Sequence, residues 1–356
     1  MAQNGKHVHV VGTGTIGEPL IGLLLGYGDK LGIGKVSFNK KQALTTDRPK
    51  VKNLIRRGAL LCADAEMVPK FEDLGMKVSY EYEEALQRAD VVIDCTPAGN
   101  HHKEQNYARH EQDTAGFVAQ GSEFGFGKMY ARGINDGALE VGKDKYIQVV
   151  SCNTHNLAVI IDTIALHEKD PGNLLEGHFV LIRRANDISQ ESKFIPAPQA
   201  GKHDDERFGT HHARDAYHLF QTLGYELPLF SSAMKLNTQY MHAMWFRLKL
   251  REKITLPQVV SRLRENQRIA LTERRSTNTV FSFGRDQGHY GRILNQTVVS
   301  VPTLTVRDEH EVFGFTFTPQ DGNSLLSSVA IATWYLYPDD YADRLQPLKE
   351  YFFEEI

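Results

Sequence analysis

Cys152 stands where a β-branched run, Tyr146-Ile147-Gln148-Val149-Val150, gives way to apolar residues at helical spacing, Leu157, Val159, Ile160, Ile161 and Ile164. A thiol there sits on a helix N-terminus. Backbone N–H groups and the positive dipole end favour thiolate over thiol, and the same groups can hold an oxyanion formed beside the sulfur. An unperturbed thiol of pKa about 8.5 is about 3% ionised at pH 7, and about 1.4 kcal/mol from a helix end raises that to about a quarter. A second group must help. A histidine brought from elsewhere in the chain suits, since it can activate the thiol and carry a proton. The alternative is that Cys152 is a small buried hydrophobe, as most unpaired cysteines are.

Gly12-Thr13-Gly14-Thr15-Ile16-Gly17 follows a short apolar strand, His7 to Val11, and opens an apolar helix, Ile16 to Tyr27, that Gly28 is expected to stop. Placed so, G-x-G-x-x-G brings backbone close to a pyrophosphate and seats it on the helix N-terminus; the alternative is a merely flexible turn. The acidic residue that would bond the ribose 2′-hydroxyl of NAD at the end of the second strand is missing. Asn39 is followed by Lys40 and Lys41, and no Asp or Glu occurs between Asp29 and Asp47. Two lysines favour a 2′-phosphate, hence NADP, alone or with NAD, unless they are ordinary solvated surface. His211-His212, with Thr210 before and Arg214 after, suits a phosphate, unless it is an exposed or structural pair. A metal would need further ligands, and His203, Asp204 and Asp205 lack ligand spacing, so none is expected. Arg183-Arg184 is a second candidate anion site. His242 lies in an otherwise apolar strand, Tyr240 to Trp245, where a lone histidine is more often a satisfied core residue.

These groups need elements to position them. Lys35 to Asn39, Val91 to Cys95, Phe117 to Gly121 and Gln148 to Val150 read as buried strands, alternating with helices at Pro49 to Gly58 and Glu81 to Arg88. The alternation implies an α/β fold with an N-terminal Rossmann-type parallel sheet, whose ligand lies at its carboxyl ends, near Thr96-Pro97-Ala98-Gly99. Beyond Cys152, His178 to Arg183, Ala243 to Leu248, Thr297 to Val301 and Gly314 to Phe317 read as a mixed or antiparallel sheet in an α+β substrate domain. The expected divisions are a dinucleotide-binding domain, 1–151, a catalytic domain, 152–322, and a C-terminal helix and tail, 323–356, packing back on the first. Residues 197–209 read as a loop. A chain of 356 residues with net charge −3 and no basic block has length for two cores and a weak case for nucleic acid or membrane partners, which leaves a small molecule. Three cysteines, Cys62, Cys95 and Cys152, imply no disulfide framework and fit a reducing cytoplasm. No signal segment is read at the N-terminus, and no apolar stretch approaches the about 20 residues of a membrane span.

Taken together, Gly14 to Gly17, Val92 to Gly99, Gln120-Gly121, Val149 to Thr154, Arg183-Arg184-Ala185, His211-His212 and Met241-His242 resemble the archaeal-type, class II glyceraldehyde-3-phosphate dehydrogenases in order and approximate spacing. Ser151-Cys152-Asn153-Thr154 is the most specific of these motifs. The resemblance implies a cytoplasmic enzyme of glycolysis or gluconeogenesis, a homotetramer by likeness, that oxidises a phosphorylated aldehyde through a cysteine thiohemiacetal and thioester, passes hydride to NAD or NADP, and uses inorganic phosphate to release an acyl phosphate. It makes Cys152 the nucleophile and His242 the general base and acid. Ser151, Asn153, His211 and His212 become substrate or phosphate contacts, and Thr15, Ile16, Gly121 and Arg184 nucleotide contacts, beside Gly12, Gly14 and Gly17. The chain departs from the pattern at His155, at Ala213-Arg214, and around Gly322-Asn323, where a glutamine is expected. Two other readings stay open: a thiol-dependent semialdehyde dehydrogenase or acyl-phosphate reductase, which would pair a substrate carboxylate with an arginine, and a non-catalytic nucleotide-binding regulator.

Overall fold

Val8, Val10, Val36, Phe38, Val91, Val92 and Ile93 are sealed from solvent, as strands covered on both faces must be. They form the centre of an eight-stranded sheet in the computed structural model, which describes residues 5–121, 123–167, 169–186, 194–319 and 321–356. The strands are β1 (Lys6–Val11), β2 (Ile33–Asn39), β3 (Leu60–Ala63), β4 (Tyr80–Glu81), β5 (Val91–Asp94), β6 (Gly116–Gln120), β7 (Lys128–Tyr130) and β8 (Tyr146–Val149). Their order is β4-β3-β2-β1-β5-β6-β8-β7, and every pairing from β4 to β8 is parallel. The fold is α/β, as the alternation implies. The order reverses at β1, so Gly12, Asn39 and Asp94 share the carboxyl edge where such sheets bind ligands.

The first helix runs on to Leu31, past Gly28. Gly28 stays helical because its bare face meets the Ile33 carbonyl, which a Cβ would approach to 2.7 Å, and Gly32, at φ +76°, makes the stop.

The second sheet contains β9 (Leu174–Arg183), β10 (Gln199–Ala200), β11 (Leu229–Lys235), β12 (His242–Leu250), β13 (Ile269–Thr272), β14 (Thr297–Arg307) and β15 (Glu311–Thr318), in the order β10-β11-β9-β12-β15-β14-β13. It is mixed: β9–β11 and β13–β14 pair in parallel, the remaining neighbours antiparallel. Helices at His211–Gln221, Leu256–Glu265 and Thr277–Gln287 accompany it. The Cys152–Ile160 helix, extended by a π-helical turn to Ala165, has Leu157, Val159, Ile160 and Ile161 fully buried. Each such side chain contributes about 1.5–3 kcal/mol, so this helix is the spine of its core and the thiol at its head is rigidly held.

The chain forms two compact units, Met1–Lys128 with Leu139–Val149 and Leu325–Pro347, and Met129–Ala138 with Val150–Ser324 and Leu348–Ile356. The C-terminal segment is thus divided between them.

Candidate active site

In the first unit the glycine turn is sterically compulsory. Gly12 has φ +91°, and a Cβ on Gly17 would lie 2.1 Å from the Gly12 carbonyl oxygen, whereas Gly14 faces open space. No side chain caps the Gly17–Leu31 helix; Glu18 N–H bonds Gly14 O at 3.2 Å and Pro19 has no N–H, so a phosphate at this end would draw on the Gly17 N–H and the turn before it. Thr13 Oγ1 and Asn39 Oδ1 are buried without partners, and such orphans at the carboxyl edge suit the hydroxyls of a dinucleotide. Lys40 is ion-paired to Asp47 at 2.6 Å, and Lys41 is exposed. A lysine that spacing did not reveal, Lys50, reaches back to Thr13 O at 3.4 Å and Glu18 at 3.2 Å. Gly121, at φ +72°, has open space where a Cβ would stand and is fixed by its N–H to Val149 O and by Gln148 Nε2 to its carbonyl. The buried Asp94 carboxylate accepts from Thr96 N–H, Thr96 Oγ1 and Tyr107 Oη and bonds His102 Nδ1, all at 2.7–2.8 Å, which sets the turn after β5. These residues fit a dinucleotide.

In the second unit Ser151 is the helix N-cap, its Oγ accepting from Thr154 N–H at 3.2 Å, and Cys152 is the first helical residue. Asn323, an unforeseen partner, donates its amide to Cys152 O at 3.0 Å and Gln296 O at 3.1 Å. The two other cysteines are held as thiols: burial pushes Cys62 up to about 12, and burial together with Asp94 pushes Cys95 well up. His155 is fully buried and pairs Nδ1 with Ser151 O at 3.0 Å. Burial holds it down to about 4, so it is neutral and structural.

His242 begins β12, and its Nδ1 accepts the backbone N–H of Arg184 at 2.9 Å. Burial first, then Arg184 and Arg183, hold its pKa well below the usual range. A neutral ring that accepts at Nδ1 carries its proton on Nε2, so His242 is poised as a donor at Nε2, and acting as a base requires it to release Arg184. The buried Arg184 side chain in turn meets Asp321 at 3.5 Å.

His211 and His212 open the helix after Thr210, which supplies no side-chain cap, and their rings lie 3.9 Å apart. Burial, then Arg183 and Arg214, hold His211 down to about 4. His212 is held well below its usual range by burial, then by His211, Arg183 and His242. His212 is 2% exposed and neither ring nitrogen has a partner. A cavity of about 320 Å³ beside this helix is lined by Arg183, Lys202, Arg214, Thr210 and His211 together with Asp204 and Asp205, and Lys202 pairs with Asp204 at 3.4 Å and Arg214 with Asp215 at 2.9 Å. Three cations against two carboxylates and a helix end without a side-chain cap suit an anion in the cavity, and the unpartnered ring nitrogens of the neighbouring His212 lie one residue along. No group of metal-ligating side chains is found among the described residues.

No family model matches the chain. It is similar to curated proteins named glyceraldehyde-3-phosphate dehydrogenase from archaea. With that of Sulfolobus acidocaldarius it is 27% identical over 305 residues, 82% of this chain and 81% of the relative. With that of Metallosphaera sedula it is 26% identical over 321 residues, 86% and 85% of the two chains. With glyceraldehyde-3-phosphate dehydrogenase 1 of Methanosarcina barkeri it is 26% identical over 316 residues, 86% of each.

Proposed function

We propose that this chain is a phosphorylating glyceraldehyde-3-phosphate dehydrogenase in which the unit bearing Gly12 to Gly17 binds NAD or NADP and the unit bearing Cys152 carries the chemistry. The observation that most supports the reading is the presence, in one unit, of a cysteine at a capped helix head and of a cavity where Arg183, Lys202 and Arg214 outnumber Asp204 and Asp205.

The Cys152 thiolate adds to the aldehyde carbon, and the carbonyl electrons move to oxygen. Backbone N–H groups of the first helical turn, the Asn153 amide and His242 Nε2–H are the donors for that oxyanion. The thiol proton has already gone to solvent, so His242 need not accept one. A dinucleotide with its pyrophosphate held by Gly12 to Gly17 would supply the nicotinamide that accepts hydride. Once hydride has left the carbon, the oxygen electrons re-form C=O as a thioester. An oxygen of inorganic phosphate then attacks, the C–S bond breaks, and thiolate departs to leave an acyl phosphate. Arg183, His211, His212 and Arg214 hold the phosphate charge.

For the nucleotide, Asn39 Oδ1 takes the ribose hydroxyl of NAD, and Lys41, assisted by Lys40, takes the 2′-phosphate of NADP. Reduced nicotinamide formed from glyceraldehyde 3-phosphate with NAD or NADP, and only when inorganic phosphate is present at multiple turnover, is the expected assay result. Turnover with aspartate semialdehyde in its place would move the reading to the semialdehyde class, and turnover with neither would favour a regulator.

A further inference from the structure

The helix headed by Cys152 is sheathed in apolar side chains, yet it carries Asn153 and Asn156, 3% and 0% exposed. A buried amide without partners is destabilising, so their bonds have to come from somewhere. They come from the end of β15. Thr316 Oγ1 donates to Asn156 Oδ1 at 2.9 Å, Asn156 Nδ2 donates to Thr318 Oγ1 at 2.8 Å, and Thr318 Oγ1 donates to Asn153 Oδ1 at 3.1 Å.

The direction of this chain follows from its hydroxyl protons: turning both amides over would leave the proton of the buried Thr316 hydroxyl without an acceptor. A hydroxyl has one proton, and Thr318, already receiving from Asn156, spends its own on Asn153. Turning the Asn153 amide over would set two N–H donors against Thr318 Oγ1 and strand its proton in a buried place. The carbonyl end of Asn153 is therefore tied to β15, and its NH2 is the end left to offer a ligand, one residue along the helix from Cys152.

We propose that Thr318, acting through Asn153, is a positioning residue for acyl chemistry at Cys152: it holds the Asn153 NH2 for the oxygen that becomes negative when the thiolate adds to a carbonyl. This deepens the reading of Cys152 as nucleophile and is independent of which aldehyde or nucleotide is used.

Two probes of one sulfur separate the effect. With p-nitrophenyl acetate the S–C bond forms through a tetrahedral oxyanion and p-nitrophenolate leaves with the electrons of the broken C–O bond. With iodoacetamide the sulfur displaces iodide and no oxyanion forms. In the full chain, Thr318→Val is expected to slow acylation of Cys152 about 10- to 100-fold, part of what loss of a whole oxyanion donor costs, with alkylation within about twofold of wild type. Thr318→Ser, which keeps the hydroxyl, should acylate within about threefold of wild type, and Thr318→Val should add nothing in an Asn153→Ala background. Unchanged acylation, a parallel fall of acylation and alkylation, no rescue by serine, additive losses with Asn153→Ala, or a wild-type Cys152 inert to both probes would each overturn the proposal. A wild type that acylates but oxidises no glyceraldehyde 3-phosphate would instead overturn the proposed reaction, with the Thr318 comparison still deciding this inference.

Discussion

Two strand-to-helix junctions in this chain use the same backbone physics to different ends. At Gly12 to Gly17 the helix starts without a side-chain cap and glycines strip the turn to backbone. At Ser151-Cys152 the helix is capped by Ser151 and braced by Asn323. An uncapped end lends its N–H groups to a charge that arrives from outside, and a bare turn lets that charge come close. A capped end gives up a donor in exchange for a fixed geometry, which is what a covalent step requires. The His211 helix is of the first kind, uncapped behind Thr210, and it lies beside a cavity lined by three cations and two carboxylates.

The contrast can be broken most severely at the sulfur. Cys152→Ser should lower kcat for aldehyde oxidation by at least about 10⁴-fold, while the dissociation constant for NADP, read by titration of protein fluorescence, stays as in wild type. Loss of nucleotide affinity in that variant would mean the two junctions are not separable in function. The reverse experiment is Gly17→Ala, whose Cβ would lie 2.1 Å from the Gly12 carbonyl oxygen. It should weaken NADP binding by about 100-fold or more and leave iodoacetamide labelling of Cys152 unchanged. Next in size is the anion site: His212→Ala should raise KM for glyceraldehyde 3-phosphate about tenfold, with little change for unphosphorylated glyceraldehyde. Equal losses on both substrates would place the phosphate elsewhere.

Acid should also distinguish the regions. His9 is held down to about 3, and His155 and His211 to about 4, each chiefly by burial. His7 is lowered as well, and His212 and His242 lie well below their usual range. The folded forms of these groups stay neutral where the unfolded chain, with histidines near 6.5, takes up protons. Stability is therefore complete above about pH 6.5 and falls as pH drops toward 4, by about 1.4 kcal/mol per pH unit for each proton. Of these groups, four lie in the unit with Cys152 and two, His7 and His9, in the unit with the glycine turn. Hydrogen exchange at pH 5 against pH 7 should show protection lost sooner in the Cys152–Ile160 helix than in the Gly17–Leu31 helix. Uniform loss would remove that distinction. The smallest effect is at the lysines. Because Lys40 shares its charge with Asp47, Lys40→Ala should weaken NADP only a few-fold, less than Lys41→Ala, with NAD unaffected by either.

What could be read from the sequence was local. The glycine turn and the Ser151-Cys152 junction each fit within a few residues, and periodicity on either side identifies the strand and helix that hold them. Short elements such as β3 and β4 gave too little pattern to be read, and the Gly28 stop failed because close packing against Ile33 keeps that glycine helical. The partners of the site lay out of reach for a different reason. Thr318 stands 165 residues from Asn153 and Asn323 171 from Cys152, and Arg184 meets His242 across 58 residues because β9 and β12 pair. Sheet register decides these contacts, and no spacing within the sequence announces it. Lys50 was missed likewise, since a lysine on a helix is ordinarily just surface.

In the proposed reaction Cys152 carries an acyl group during turnover. The direct measurement is mass spectrometry of the Cys152 peptide after quenching the protein in acid with glyceraldehyde 3-phosphate and NADP but no inorganic phosphate. A phosphoglyceroyl thioester on Cys152, cleared when phosphate is added before the quench, is the predicted result. Reduced nicotinamide formed with Cys152 unmodified, or with the acyl group on another residue, would contradict it.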